Sequence, residues 1–174
     1  MAATYDLVTS QTFTGNTGTC TFTSFSSAYT DLIIQGHVTG SGSGDIYVRF
    51  NGDDGSSGNN YYMLGATSST AGFKNDNSYP TNRITPVGWY NSSQQSANPF
   101  FFEVVIPEYS NGSYNKNGVL NFSYIADSTQ SRANVGFMAW QWRNNSAITS
   151  IEVKLTSGTF TGRINLYGIK AGTA

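Results

Sequence analysis

The feature that most limits what this chain can become is an apolar period of two, repeated in short runs with turn residues between them. In Ile46-Tyr47-Val48-Arg49-Phe50, and again in Thr149-Ser150-Ile151-Glu152-Val153-Lys154-Leu155, apolar side chains fall on every second residue. A strand sends alternate side chains to opposite faces, whereas a helix would scatter these residues around its circumference. Each run therefore covers a core with one face and meets something else with the other. In the segment 31–38, Leu32, Ile34, Gly36 and Val38 share the core face, and Asp31, Ile33, Gln35 and His37 share a mixed one. Segments 4–10 and 19–25 flank a polar turn at Gly15–Gly18, and the apolar run 100–106, closed by Pro107, suits an antiparallel neighbour at 118–127. The most regular stretch holds runs at 135–143, 148–155 and 164–170, where a hairpin is expected. Between Asp53 and Asn98 the alternation weakens, which predicts large loops carrying one or two short strands.

Composition points the same way. The 19 Gly, 22 Ser, 20 Thr and 17 Asn make up 78 of 174 residues. Gly and Asn supply turns, Ser and Thr compete with helical backbone bonds, and the 11 Phe and 11 Tyr fit pleated surfaces. With no helix longer than a turn and no fixed-period repeat, the expected fold class is all-β: a single-domain, jelly-roll-like β-sandwich of about eight to ten antiparallel strands. Residues 1–20 would be an N-terminal arm or a first strand, and residues 21–174 the sandwich.

Nine Lys and Arg against ten Asp and Glu leave a net charge of −1. No basic footprint exists for nucleic acid or for an anionic membrane surface, so neither is an expected partner. The N-terminus lacks the basic and apolar regions of a signal peptide, and no run approaches the ~18 apolar residues of a membrane span. Synthesis in a reducing cytoplasm is the expectation, and the single Cys20 fits it.

Candidates for chemistry are few. The one histidine, His37, sits on a strand without a nucleophile motif beside it, and Cys20 alternates with Thr19 and Thr21 as a small buried residue would. Glycoside hydrolysis requires two carboxylates about 5–9.5 Å apart. Glu103 and Glu152 lie on separate strands, and Glu103 reads as a sheet-surface salt bridge. Asp53 and Asp54 offer oxygen ligands but not the alternating acids of a calcium loop, so a tight turn is expected there. No catalytic residue, cofactor or metal site is expected. Met138, Trp140 and Trp142 alternate on one strand face that packs against something large, the core first and a neighbouring subunit as the alternative. Loop aromatics are the better lead for binding, above all Tyr61, Tyr62, Trp89 and Tyr90, whose flat rings with polar tips suit sugar stacking or a protein interface.

Four segments, 22–38 with its Tyr-Thr-Asp-Leu, 48–65 with Arg-Phe-Asn-Gly-Asp, 100–111 with Ile-Pro-Glu-Tyr, and 142–170 with Ala-Ile-Thr-Ser-Ile and Leu-Tyr-Gly-Ile, occur in an order and spacing that resembles one group. These are small β-rich virion proteins and appendage domains of tailed phages, especially those of cyanobacteria. The resemblance spans nearly the whole chain after the first twenty residues and carries no catalytic residue. It implies a virion structural protein, a capsid decoration or cement protein on the outer shell, made in the host cytoplasm and partnered by the major capsid protein. The alternative is a tail fibre or receptor-binding module, partnered by tail proteins, that recognises host surface glycans. An initial methionine and the lack of a coiled-coil repeat favour a free-standing decoration module, and lattice symmetry would favour a homotrimer.

Overall fold

The computed structural model describes residues 5–42, 44–55, 60–69, 72–86, 98–125 and 133–170, with the backbone alone at 67–69 and 72–80. Eleven strands lie within them: β1 (Tyr5–Thr14), β2 (Thr19–Thr23), β3 (Asp31–Gly40), β4 (Ile46–Phe50), β5 (Tyr61–Ser69), β6 (Gly72–Thr81), β7 (Phe100–Ile106), β8 (Lys116–Ile125), β9 (Ala133–Trp142), β10 (Ser150–Leu155) and β11 (Phe160–Ile169). They form two antiparallel sheets, one of eight strands in the order β1-β11-β3-β7-β8-β9-β5-β6 and one of three in the order β2-β10-β4. The all-β sandwich implied by the alternation is what forms, and no helix occurs among the described residues.

Two local expectations need correction. The hairpin expected in the last third is absent, because β9 pairs with β8 and β5, β10 with β2 and β4, and β11 with β1 and β3. The chain crosses between sheets at 143–149 and again at 156–159, and alternation alone does not say which sheet a strand joins. In the stretch expected to be mostly loop, β5 and β6 are instead long partners, paired from Tyr61↔Thr81 to Ser69↔Gly72. β6 closes the sheet as an edge strand, a position where polar sequence is common. The N-terminal segment is bonded to β11 from Tyr5↔Ile169 to Thr14↔Thr161, with an irregularity between Leu7 and Thr9. From Tyr5 onward it is therefore the other edge strand and not a detached arm.

The core lies between the inner faces. Leu32, Ile34 and Val38, Phe100, Phe102 and Val104, and Ile164 and Leu166 face Phe22, Ile46, Val48, Phe50, Ile151 and Val153. Phe50 is central, with ring centroids 5.3 Å from Trp140, 5.6 Å from Trp142 and 6.2 Å from Tyr61. Each buried aromatic or aliphatic side chain contributes about 1.5–3 kcal/mol, which is what holds two sheets with so few charges together. Inward glycines match the largest rings across the ladder: Gly36 opposes Phe102, Gly118 opposes Trp140 and Gly136 opposes Phe122. A Cβ at Gly36 would stand 2.0 Å from Phe102 and one at Gly136 2.1 Å from Phe122, so the rings occupy the space of the missing side chains.

Candidate functional site

The four aromatic candidates do not form one outward platform. Tyr61 is fully buried, stacked on Trp142 at 6.3 Å and 19°, and its hydroxyl accepts the Phe50 N–H at 2.9 Å. Burial pushes its phenol well above the ordinary value. This corrects its expected role, because period-two geometry points Tyr61 inward with Met63 and leaves Tyr62 on the outer face. Tyr62 is half-buried there, with the Arg143 guanidinium 5.1 Å over its ring and Arg143 Nη1 donating to its hydroxyl at 2.8 Å. Trp89 and Tyr90 lie outside the described residues.

The remaining candidates separate by environment. Cys20 is buried between the sheets, where desolvation raises its thiol to about 12. Met138, Trp140 and Trp142 are all buried in the core. Asp53 ties a turn to that core. Its carboxylate accepts the Trp142 indole N–H at 2.7 Å, the Asn60 amide at 2.9 Å and the Gly55 N–H at 2.9 Å. Burial works to raise its pKa, but these donors together outweigh burial and hold the carboxyl below its ordinary value. Among the described residues no group of three His, Cys, Asp or Glu side chains is placed to hold a metal ion.

Glu103 lies on the outer face of the large sheet, but amides and not a cation satisfy it: Gln35 donates at 2.8 Å and Asn121 at 3.2 Å. The expected salt bridge is thus replaced by a cross-strand ladder, since the register places Gln35 and Asn121 on either side of Glu103. His37 is exposed on the same face, opposite Arg163 and Phe101.

Beside that ladder runs the feature that sequence reasoning missed. Successive registers place Leu7, Tyr167, Ile33, Val105, Val119, Ala139 and Leu64 side by side across seven adjacent strands. At a strand spacing of roughly 4.8 Å, the row crosses about 29 Å of the outer face. Leu64 is 62% exposed, Leu7 57%, and on β9 the neighbours Phe137 and Val135 are 56% and 53% exposed. On β7, β8, β9 and β5, outward positions carry a single charged residue, Glu103. Members such as Ile33 and Val105 were readable on the outer parity of their own strands, whereas Leu64 fell in a stretch read as loop, and the row exists only once the strand order is known.

A second missed residue is Lys116, which occupies the inward parity of β8 and is 1% exposed. Its ammonium donates to the backbone carbonyls of Asn111, Tyr114 and Asn145, the last two at 3.1 and 3.4 Å. Desolvation pulls its pKa down, with Glu108 partly opposing that shift. The charge thus joins the loop after β7 to the loop after β9. Its parity with Gly118, Leu120 and Phe122 was the available signal.

No protein-family model, curated protein or solved structure matches this chain.

Proposed function

We propose that the chain is a non-enzymatic virion structural module, a decoration protein of a tailed phage that lies on the outer surface of the capsid shell. The observation that carries the reading is the charge-poor apolar row on the outer face of the eight-stranded sheet. Exposed apolar side chains grouped on one face mark interaction sites in soluble proteins, and a face of aligned strands suits a broad, shallow contact. The resemblance of segments 22–38, 48–65, 100–111 and 142–170 to phage virion proteins is what suggests the major capsid protein as the partner for that contact. Copies would sit as homotrimers at the threefold positions of the lattice.

Localisation tests the reading. Antibody labelling of purified virions that encode the chain is expected to mark the whole head evenly. Label confined to the tail, or absent from the particle, would sink it. Replacing Leu64 and Phe137 together by Lys is expected to strip the protein from the head while leaving it folded, because both side chains are exposed. Light scattering at micromolar concentration checks the trimer.

A further inference from the structure

At one end of the sandwich an open cleft of about 440 Å³ lies among the loops after β2, β7 and β9. Phe25, Tyr109 and Ile148 make its apolar part. Ser24, Ser27, Ser110 and Thr149 are hydroxyl-bearing members of its lining, the Thr149 hydroxyl donating to Asn51 Oδ1 at 3.2 Å, and none of its lining side chains is charged. Phe25 is half-exposed and meets Tyr109 at 5.9 Å and 82°, while the Tyr109 hydroxyl donates to the Ser26 carbonyl at 2.7 Å.

The backbone around this cleft is unusual. Three non-glycine residues among those described have positive φ, namely Ser24 at 62°, Asn51 at 54° and Glu108 at 44°; Ser24 lines the cleft, and the other two adjoin or hydrogen-bond residues that do. Glu108 precedes the lining pair Tyr109 and Ser110. Asn51 holds the opposite wall, accepting from Thr149 N–H at 2.8 Å and Ser150 N–H at 3.1 Å while donating to the Ala147 carbonyl at 2.8 Å. Ile148 N–H donates to the Tyr109 carbonyl at 2.8 Å and closes the two walls on each other. The Glu108 N–H is held by Asp31 at 2.9 Å, and the Lys116 ammonium binds both loops from behind. Left-handed backbone at non-glycine positions persists where the surroundings impose it, and it gathers at ligand sites.

We infer that this cleft binds a neutral saccharide ring. A pyranose has an apolar face for a ring such as Phe25, and hydroxyls that both donate and accept, as Ser and Thr do. No side chain lining the cleft carries a charge to pair with an ionic ligand, and a purely aliphatic one would dry the rim hydroxyls without replacing their hydrogen bonds. The volume falls in the range of small-molecule sites, and the cross-braced walls are ordered before anything binds. The cleft shares no residue with the apolar row, so the two readings stand or fall separately.

The test uses the intact chain on an array of neutral and acidic oligosaccharides, followed by amide and methyl NMR titration with the strongest neutral binder. Expected are neutral hits, shifts at the Ile148 and Ala147 methyls, and affinity weakened several-fold to about tenfold by Phe25→Ala. Should that variant misfold, Ser110→Lys at an exposed rim position is expected to give the same loss with the fold intact. Silence on the neutral sugars, preference for acidic ones, or shifts centred on Trp89 and Tyr90 instead of Ile148 would overturn the inference. So would Ile148 shifts given by N-acetylphenylalaninamide and by no sugar.

Discussion

Gly136→Ala isolates the packing rule that most shapes the inner face of the large sheet. A Cβ at this position would stand 2.1 Å from Phe122 Cζ and 2.4 Å from Cε1. The ring has nowhere to retreat, because it is stacked between Phe100 at 6.2 Å and Tyr124 at 6.3 Å, both within 30° of parallel. Overpacking of this kind costs about 1–3 kcal/mol, and the confined ring places the expected value at about 2–3 kcal/mol. For a chain of this length that corresponds to a fall in Tm of roughly 4–12 °C. Gly52→Ala is the control, since nothing lies within 4 Å of its added methyl and only its φ of 68° opposes it. Its cost is about 1–2 kcal/mol. Urea unfolding of Gly136→Ala in the native and Phe122→Leu backgrounds completes a cycle, in which the smaller side chain relieves at least about 1 kcal/mol of the penalty. A Gly136→Ala protein within about 0.5 kcal/mol of the parent, or an equal penalty in both backgrounds, would refute the reasoning.

Further outcomes are expected. Asp53 has a depressed carboxyl pKa, so its contribution to stability is complete above the ordinary value of 3.8 and is lost as pH falls through the lower folded value. The gap in Tm between the native protein and Asp53→Asn should therefore narrow between about pH 6 and about pH 2, and a constant gap would contradict the assignment. Cys20, with its thiol raised to about 12, should resist a thiol reagent near pH ~8 until urea unfolds the chain; fast native labelling would show that the site opens. Lys116→Met strips the donor from three backbone carbonyls and is expected to cost about 2–3 kcal/mol by urea unfolding. Trp142→Phe should cost more than Trp140→Phe, because Trp142 satisfies Asp53 while the Trp140 indole N–H has no acceptor among the described residues.

Face assignment was legible wherever a strand alternated. Ile46, Val48 and Phe50 point inward, as do Leu32, Ile34 and Val38, and Met138, Trp140 and Trp142. Where the pattern was read as loop aromatics, parity still governed, and Tyr61 proved to be core while Tyr62 did not. Outward residues were harder to read. Ile33 is 2% exposed because Tyr167 and Val105 flank it, and Tyr47 is buried under the guanidinium groups of Arg49 and Arg83, at 4.7 and 5.0 Å from its ring. Only the Arg49 covering arises within the strand itself; Arg83, Tyr167 and Val105 come from residues distant in the chain.

The local alternation, the turn residues and the scarcity of charge were enough to determine by themselves that this chain folds as antiparallel sheets with an aromatic core. They act through each residue's own backbone and its burial, which are properties of short segments. Strand order was decided only by the tertiary structure. It separates β9, β10 and β11 between two sheets, sets glycines opposite Phe102, Trp140 and Phe122, and joins single apolar residues into a row across seven strands. It also gathers Phe25, Tyr109 and Ile148, residues far apart in the chain, around one cleft. Such neighbours meet through long-range pairing, and a period of two carries no information about which strand lies alongside.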